Sequence, residues 1–154
     1  MITIKNTQRK INYNTEQLSK DAQTIIKFLK YPDFDLGIWI TTNKTIQEYN
    51  KEFRKKDKPT DILSFSFHEG IKPGERIEVC CEDEQNLGDL IISLEYVQKA
   101  AKELNQTLEE RMRILLVHGI CHLLGYDHEE DADFELMQKE ENRILKHLTR
   151  SKTV

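Results

Sequence analysis

The segment that most constrains the fold is an apolar stretch in the C-terminal third of the chain. Thr107 and Glu110 match the capping box that starts a helix, and Gly125 is placed to end that helix as a C′ glycine. The apolar residues between these points follow a helical spacing: Leu108, Met112, Leu115, Leu116, Ile120 and Leu123. A helix that is apolar over so much of its surface must be covered by other elements. The segment therefore predicts a central helix around which the rest of the chain packs.

The other segments predict a mixture of strands and helices. Short strands are expected where β-branched, aliphatic and aromatic side chains concentrate, at residues 2–4, 36–42, 62–67 and 87–92. Further helices are expected where capping residues precede apolar periodicity, near Thr15, at Asn43 or Thr45, at Ser93 and near Asp131. Because strands and helices do not alternate strictly, the pattern predicts the α+β class. The expected architecture is one domain over residues 1–154, with a mixed sheet of about four strands packed by helices.

Local patterns also predict which side chains lie in the core and which at the surface. Alternation in the third strand places Leu63, Phe65 and Phe67 on one face, and we expect that apolar face to be core. Trp39 lies inside an apolar strand without basic neighbours, which predicts a core position. Residues 68–86 contain Gly, Pro and several acidic side chains, so most of them are expected to form an exposed loop.

Composition limits the classes of function. The formal net charge of −4 excludes a generally basic coat for nucleic acid, so a polyanionic partner would have to meet a local patch. The cysteines, Cys80, Cys81 and Cys121, are odd in number and two are adjacent, which makes a poor disulfide framework and favours a reducing, cytoplasmic setting. The first residues lack the apolar core of a signal peptide, and no apolar run reaches membrane-spanning length. No membrane partner is therefore expected.

Three of the five histidines lie between residues 118 and 128. His118 and His122 are four residues apart on the predicted central helix, so they share one face, with Cβ atoms about 5–6 Å apart. Gly125 allows a left-handed turn after the helix, and His128 can then return toward the same point. Three imidazoles suit a divalent ion with one open position, most simply Zn²⁺, although Ni²⁺, Cu²⁺ and Fe²⁺ also accept such ligands. An isolated pair of histidines at this spacing more often has a structural role. The third histidine favours metal binding instead.

The same spacing occurs in the H-E-x-x-H-x-x-G-x-x-H metallopeptidases, with one difference. His118, His122, Gly125 and His128 match that layout, while Gly119 takes the place of the glutamate. That glutamate is the general base that activates water for peptide cleavage. Its absence disfavours peptidase activity.

Two blocks far apart in the chain carry a family resemblance. Residues 50–65 read NKEFRKKDKPTDILSF, and residues 118–128 read HGICHLLGYDH. They are similar to the R-x-x-D-x-P-T-D-V-L-S-F and H-G-x-x-H-L-x-G-Y-D-H segments of the YbeY-type endoribonucleases, which are metal-binding bacterial factors for ribosomal RNA maturation. Gly88–Asp89, Met137 and Glu141 also fit the family pattern, and the resemblance extends over about residues 46 to 145.

The resemblance implies a cytoplasmic endoribonuclease that is specific for single-stranded RNA. It implies a role in maturing the 3′ end of small-subunit ribosomal RNA and in ribosome quality control, with a ribosomal RNA precursor as substrate and the ribosome or small-subunit proteins as partners. The metal ligands would be His118, His122 and His128. An ion held by them could lower the pKa of a bound water or polarise a phosphoryl oxygen, and either action aids phosphodiester cleavage.

The basic stretch in the first block supplies candidate substrate contacts. Arg54 is the predicted catalytic and substrate-binding residue, because its planar, permanently charged guanidinium matches two phosphate oxygens. Lys55, Lys56 and Lys58 are predicted to follow the backbone of a single strand. The alternative is that these cations only complement the dipole at a helix C-terminus.

Two other functions use the same residues. A ribosome-assembly factor without catalysis would use the metal only to hold the end of the central helix, and it is suggested by the missing base at Gly119. A zinc hydrolase acting on another substrate would use the same metal but would be indifferent to the charge of residues 51–58.

Overall fold

The computed structural model describes residues 1–152 and contains four strands and five α-helices in that range. The strands are β1 (Ile2–Asn6), β2 (Asp35–Thr41), β3 (Ile62–Ser66) and β4 (Asn86–Ser93). The helices are α1 (Glu16–Phe28), α2 (Asn43–Arg54), α3 (Leu94–Glu103), α4 (Leu108–Leu123) and α5 (Asp131–Lys152). The predicted elements are confirmed, with boundaries that differ by a few residues.

The four strands form one mixed sheet in the order β1-β2-β4-β3. β1 pairs with β2, and β2 with β4, in parallel, whereas β3 runs antiparallel to β4. Ile38 in β2 lies opposite Ile4 and Leu90, and Ile92 in β4 lies opposite Ile62. The predicted α+β class and the mixed four-stranded sheet are therefore confirmed.

The main core lies on one face of this sheet. Strand residues of this face pack in one cluster with the apolar faces of α1, α4 and α5: Leu36, Ile38, Ile40, Leu90 and Ile92. Helix α4 contacts β3 and β4 on one side and α1, α3 and α5 on others. It is the predicted central helix, and its covered surface explains why its apolar residues are not confined to one stripe.

The opposite face of the sheet is covered by α2 and only in part. Ile46 of α2 packs against Leu63 and Ile91, and half-buried aromatic side chains surround this small cluster. Trp39 is one of them, and its indole N–H donates to the Thr7 hydroxyl at 2.8 Å. The prediction that Trp39 is a core residue is therefore wrong. Its strand is buried on the opposite face, whereas a helix of 12 residues leaves this face incompletely covered.

The prediction for β3 also needs correction. Ile62, on the face that appeared more polar, enters the main core, and Ser66 on the same face donates to the carbonyl of Leu123 at 3.3 Å. Leu63 is buried under α2, Phe65 is half-buried and Phe67 is 49% exposed. Both faces of β3 contact helices, so the alternation of apolar residues does not identify the side of the main core.

Helix starts follow local chemistry with one shift. Thr42, and not Asn43 or Thr45, is the N-cap of α2, and its hydroxyl accepts the N–H of Thr45 at 3.5 Å. Thr107 caps α4 as predicted, accepting the N–H of Glu110 at 3.1 Å. These two bonds fix where α2 and α4 begin.

The segment from 68 to 86 is mostly irregular, as predicted, with one short 3₁₀ turn at Glu82–Glu84. It is not uniformly exposed, because Ile77 is buried and its N–H bonds to the Tyr31 hydroxyl at 3.0 Å. Cys80 and Cys81 are exposed free thiols, whereas Cys121 is buried. None of the helices within residues 1–152 has the length and hydropathy needed to cross a membrane.

Candidate metal centre

His118 and His122 lie one turn apart near the C-terminal end of α4. Their ring centroids are 4.6 Å apart and their Nε2 atoms are 3.1 Å apart. Two nitrogen ligands of one tetrahedral Zn²⁺, each about 2.0–2.1 Å from the ion, are separated by roughly 3.3 Å. The spacing of the two Nε2 atoms therefore fits ligands of a common ion.

Gly125 brings the third histidine back to this pair. It has φ +94°, and a Cβ atom there would lie 2.0 Å from the Ile71 carbonyl oxygen, so only glycine fits this turn. His128 then stacks at 5.7 Å from His118 and lies 5.2 Å from His122, measured between ring centroids. One ligand atom of each histidine lies within 4.8 Å of the others. Within residues 1–152, these three histidines are the one group of three or more His, Cys, Asp or Glu side chains that could hold a metal ion.

Helix α5 contacts His118 and the turn that precedes His128. The Glu141 carboxylate lies 3.1 Å from Nδ1 of His118 and can only accept, so in the neutral imidazole the proton lies on Nδ1 and Nε2 is the nitrogen available to a metal ion. Tyr126, in the turn, donates its hydroxyl to Glu140 at 3.1 Å. Burial, together with Glu140, raises the pKa of Tyr126 to about 12, which keeps that hydroxyl a donor. Helix α5 therefore contacts both His118 on α4 and the turn that leads to His128.

Burial lowers the pKa of His122, and the neighbouring His118 and His128 lower it further. A lowered pKa keeps the imidazole neutral, with a lone pair on one nitrogen, at neutral pH. Neutral imidazole is the form that binds metal ions. The donor set and its electrostatics thus fit a divalent ion.

The histidines open into a cleft of about 920 Å³ that runs between α4 and the end of α2. Arg54 and Lys56 line the same cleft, together with Thr60, Asp61 and Ser64. The structure thus brings two of the predicted substrate-binding residues to the histidine cluster, although the two blocks are far apart in sequence.

Arg54 and Lys56 reach the cleft because α2 ends abruptly. Lys55 adopts a left-handed conformation with φ +60°, and the N–H of Lys56 bonds back to the carbonyl of Asn50 at 3.3 Å. The buried Asn50 side chain donates to the carbonyl of Lys58 at 2.9 Å. These bonds fix the path of the chain just beyond the helix.

The other predicted lysines lie elsewhere. Lys55 lines a separate surface depression, which also holds Lys51 and three acidic residues, Glu48, Glu52 and Asp57. Lys58 is exposed and is not among the described residues that line the cleft. Their role in substrate binding stays a prediction.

The sequence alone assigns no role to Glu141, although this residue fits the family pattern. The signal that points to its role is its place on α5, where Met137, Ile144 and Leu148 on the same face are buried. A carboxylate on an apolar stripe requires a polar partner, and here the partner is His118. Phe53 and Phe65, which also line the cleft, were likewise not assigned to the site.

Comparisons with known proteins identify relatives of this chain. The family model described as Endoribonuclease YbeY matches residues 3–149. The chain is 36% identical to a human protein named Endoribonuclease YbeY over 149 residues, covering 97% of this chain and 89% of the relative. It is 44% identical to the Endoribonuclease YbeY of Fusobacterium nucleatum over 134 residues, covering 87% and 79%.

A solved structure also resembles the fold. The solution structure of TM1509 from Thermotoga maritima aligns with a TM-score of 0.59 at 27% identity, covering 98% of this chain and 93% of the other. The family match over nearly the whole chain and the relatives' high identity lead to one conclusion. This chain belongs to the YbeY endoribonuclease family.

Proposed function

We propose that this protein is a metal-dependent endoribonuclease that cleaves single-stranded RNA in ribosomal RNA processing. The observation that carries the proposal is the meeting of His118, His122, His128 and Arg54 in one cleft. The relatives' name, Endoribonuclease YbeY, supports the reaction. We further propose Zn²⁺ as the ion, residues 1–154 as one catalytic domain, and cytoplasmic action on the 3′ end of small-subunit ribosomal RNA with ribosomal partners and a role in ribosome quality control.

The three histidines would hold the ion, and Glu141 would orient His118. A divalent ion supplies Lewis acidity, which stabilises charge on a phosphoryl oxygen and activates a nucleophile. The polypeptide contributes positioning, because the ligands come from a rigid helix and from a turn that is bonded to α5. Preorganised ligands lose little freedom when substrate binds.

Arg54 would act on the phosphate opposite the histidines. Its guanidinium is always charged and offers two parallel N–H donors, which suits the extra negative charge of a pentacovalent phosphate. Lys56 adds a second cation to the same cleft. The cleft also holds the carboxylates of Asp61, Asp127 and Glu129. In a protein with a net charge of −4, the two cations and the divalent ion together would supply the local positive charge that a polyanionic substrate requires.

Peptidase chemistry is disfavoured by packing as well as by sequence. A Cβ atom on Gly119 would lie 2.8 Å from Ile62 Cδ1 and 2.9 Å from Leu90 Cδ2. A glutamate there would therefore be directed against the apolar core between α4 and the sheet, where an unpaired carboxylate is costly. Position 119 cannot supply the general base of the metallopeptidases.

The first test is RNA cleavage by an Arg54 variant. We expect Arg54→Ala to reduce kcat on a single-stranded oligoribonucleotide from the 3′ region of small-subunit ribosomal RNA by roughly 10²–10³-fold, the usual effect of removing one charge-stabilising group. Arg54→Lys should recover part of the loss, because it restores the charge without the two-pronged donor geometry. Rates would be measured on end-labelled RNA.

The control is Arg9→Ala, which removes an exposed arginine that does not line the cleft. It should cleave at the native rate. Native rates in Arg54→Ala would refute the catalytic assignment. Removing the metal with a chelator distinguishes the nuclease from the assembly factor without catalysis. The assembly factor predicts a lower melting temperature after chelation and no metal-dependent cleavage.

Glu141 provides a test of the metal site that does not depend on activity. We expect Glu141→Ala to weaken Zn²⁺ binding by about 10–100-fold, because His118 loses the partner that fixes its tautomer and ring orientation. Glu141→Gln retains an acceptor and should lose less. The dissociation constant would be measured by competition with a chromophoric chelator.

Glu135→Gln is the matched control, since this glutamate is exposed on the same helix. It should bind Zn²⁺ as the native protein does. Equal Zn²⁺ affinity in Glu141→Ala and the native protein would show that the carboxylate does not support the site.

A further inference from the structure

A second cavity adjoins the metal cleft, on the face of the sheet that α2 covers incompletely. Its volume is about 400 Å³, within the range of sites that bind small-molecule ligands. Phe53 and Phe65 line both this cavity and the metal cleft. The two spaces therefore meet at these two rings.

Aromatic rings continue from that junction into the cavity. Phe53 and Phe65 meet edge to face at 5.1 Å between ring centroids, and Tyr49 stacks on Phe53 at 6.1 Å with an interplanar angle of 12°. Trp39 follows, 5.6 Å from Tyr49. Tyr49 and Phe53 are four residues apart on α2, so both rings lie on its sheet-facing side.

Phe53 is exposed to an extent that core packing does not explain. Its side chain belongs to the last turn of α2, it is 57% exposed, and Arg54 follows it directly. An exposed ring beside the proposed phosphate-binding arginine presents a flat apolar surface where a substrate would pass. Exposed aromatic rings next to cations are typical of proteins that bind single-stranded nucleic acid.

Lining chemistry separates the two spaces. The metal cleft also holds three carboxylates, but its guanidinium and a divalent ion on the histidines would bind a phosphate. The aromatic cavity is lined mostly by aromatic and aliphatic side chains, with one carboxylate, Asp89, and one cation, Lys5, which lies 5.5 Å from the centre of the Trp39 ring. A base presents a flat face that stacks on such rings, whereas a phosphate would lose its hydration there without a guanidinium or an ion to replace it. The cavity therefore suits a nucleobase and the cleft suits the phosphate.

We propose that Phe53, with Phe65 and Tyr49, forms a stacking subsite for an unpaired nucleobase next to the phosphate that is cleaved. This inference rests on the proposed function and names how the site selects its substrate. A base enters the cavity only when it is free of its complement, because a paired base is stacked inside a duplex and its edge is occupied. Selection for single strands then follows from the shape of the site.

The test compares Phe53→Leu and Phe53→Trp on intact and abasic single-stranded oligoribonucleotides. Phe53→Leu should raise the dissociation constant for intact RNA by about 5–30-fold, since base stacking on one aromatic ring is lost. Phe53→Trp keeps a ring and should bind within about twofold of the native protein. Removing the base that flanks the cleavage site should raise the dissociation constant of the native protein by a similar factor. The dissociation constant of Phe53→Leu should be the same for the intact and the abasic RNA.

Phe134→Leu is the matched control, because Phe134 is 51% exposed on α5 and lines neither space. It should bind both RNAs as the native protein does. Equal binding of intact RNA by Phe53→Leu and Phe134→Leu would overturn the subsite. The subsite would also be overturned if removal of the base raised the dissociation constant by the same factor in the native protein and in Phe53→Leu. The remaining interpretation would be that the cavity binds an apolar segment of a protein.

These outcomes are distinct from a failure of the proposed function. The subsite is decided by binding constants, measured with and without the base, whereas the proposed function is decided by cleavage. A native protein that binds RNA with the expected dependence on the base and does not cleave it would refute the nuclease and support the subsite.

Discussion

Replacing His118 by alanine is expected to lower the rate of RNA cleavage by at least about a hundredfold while the protein stays folded. The variant removes one of three converging imidazoles and leaves Glu141 without its donor. Loss of a ligand should weaken metal binding by more than the 10–100-fold typical of an outer partner. The helix itself should persist, because alanine has the highest helix propensity.

The measurement compares the native protein, His118→Ala and His68→Ala, purified in the same way. His68 lies outside the metal cleft and contacts the carbonyl oxygen of Glu84 at 2.7 Å, so its variant should cleave at the native rate. Circular dichroism and Zn²⁺ affinity would be recorded for all three. Equal cleavage by the native protein and His118→Ala would indicate a contaminating nuclease and refute the metal-site mechanism.

Replacing Gly125 by alanine is expected to destabilise the protein by about 2–5 kcal/mol in the free energy of unfolding. The left-handed backbone at φ +94° costs a residue with a Cβ atom roughly 1–2 kcal/mol. The contact with the Ile71 carbonyl oxygen adds about 1–3 kcal/mol, because backbone atoms must move to relieve it. The melting temperature should fall by roughly 5–15 °C.

Gly74→Ala separates the two contributions. Gly74 has φ +83°, and a Cβ atom there would have no heavy atom within 4 Å. It should show only the conformational cost of about 1–2 kcal/mol. Gly125→Ala should also weaken Zn²⁺ binding, since His128 depends on this turn. Equal melting temperatures in the two variants would show that the contact with the Ile71 carbonyl oxygen adds no cost.

Local sequence was sufficient to predict the elements and part of the site. Helix geometry is set by hydrogen bonds four residues apart, so the spacing of His118 and His122 fixes their shared face wherever the helix packs. Gly125 marked the turn because few other residues adopt its backbone conformation. Capping by Thr107 was likewise predictable, because its bond lies within the same helix turn.

Contacts between distant segments could not be predicted in this way. The face of β3 that enters the main core depends on which helices lie above and below the sheet, and the sequence of β3 alone does not contain that information. The left-handed conformation of Lys55 turns the chain so that Lys56 lines the metal cleft and Lys55 lines another depression. Lysine carries no signal for that conformation.

The amino-acid sequence by itself determined the α+β class, the central helix and the candidate ligands His118, His122 and His128, because these follow from short-range periodicity and spacing. Only the tertiary structure decided that Arg54 shares their cleft, that Glu141 holds His118, and that Phe53 lies between two cavities. Those relations join segments whose distance along the chain says nothing about their distance in space. They are set by the order of strands in the sheet, by the packing of α2 against the sheet and by the packing of α5 against α4 and α1.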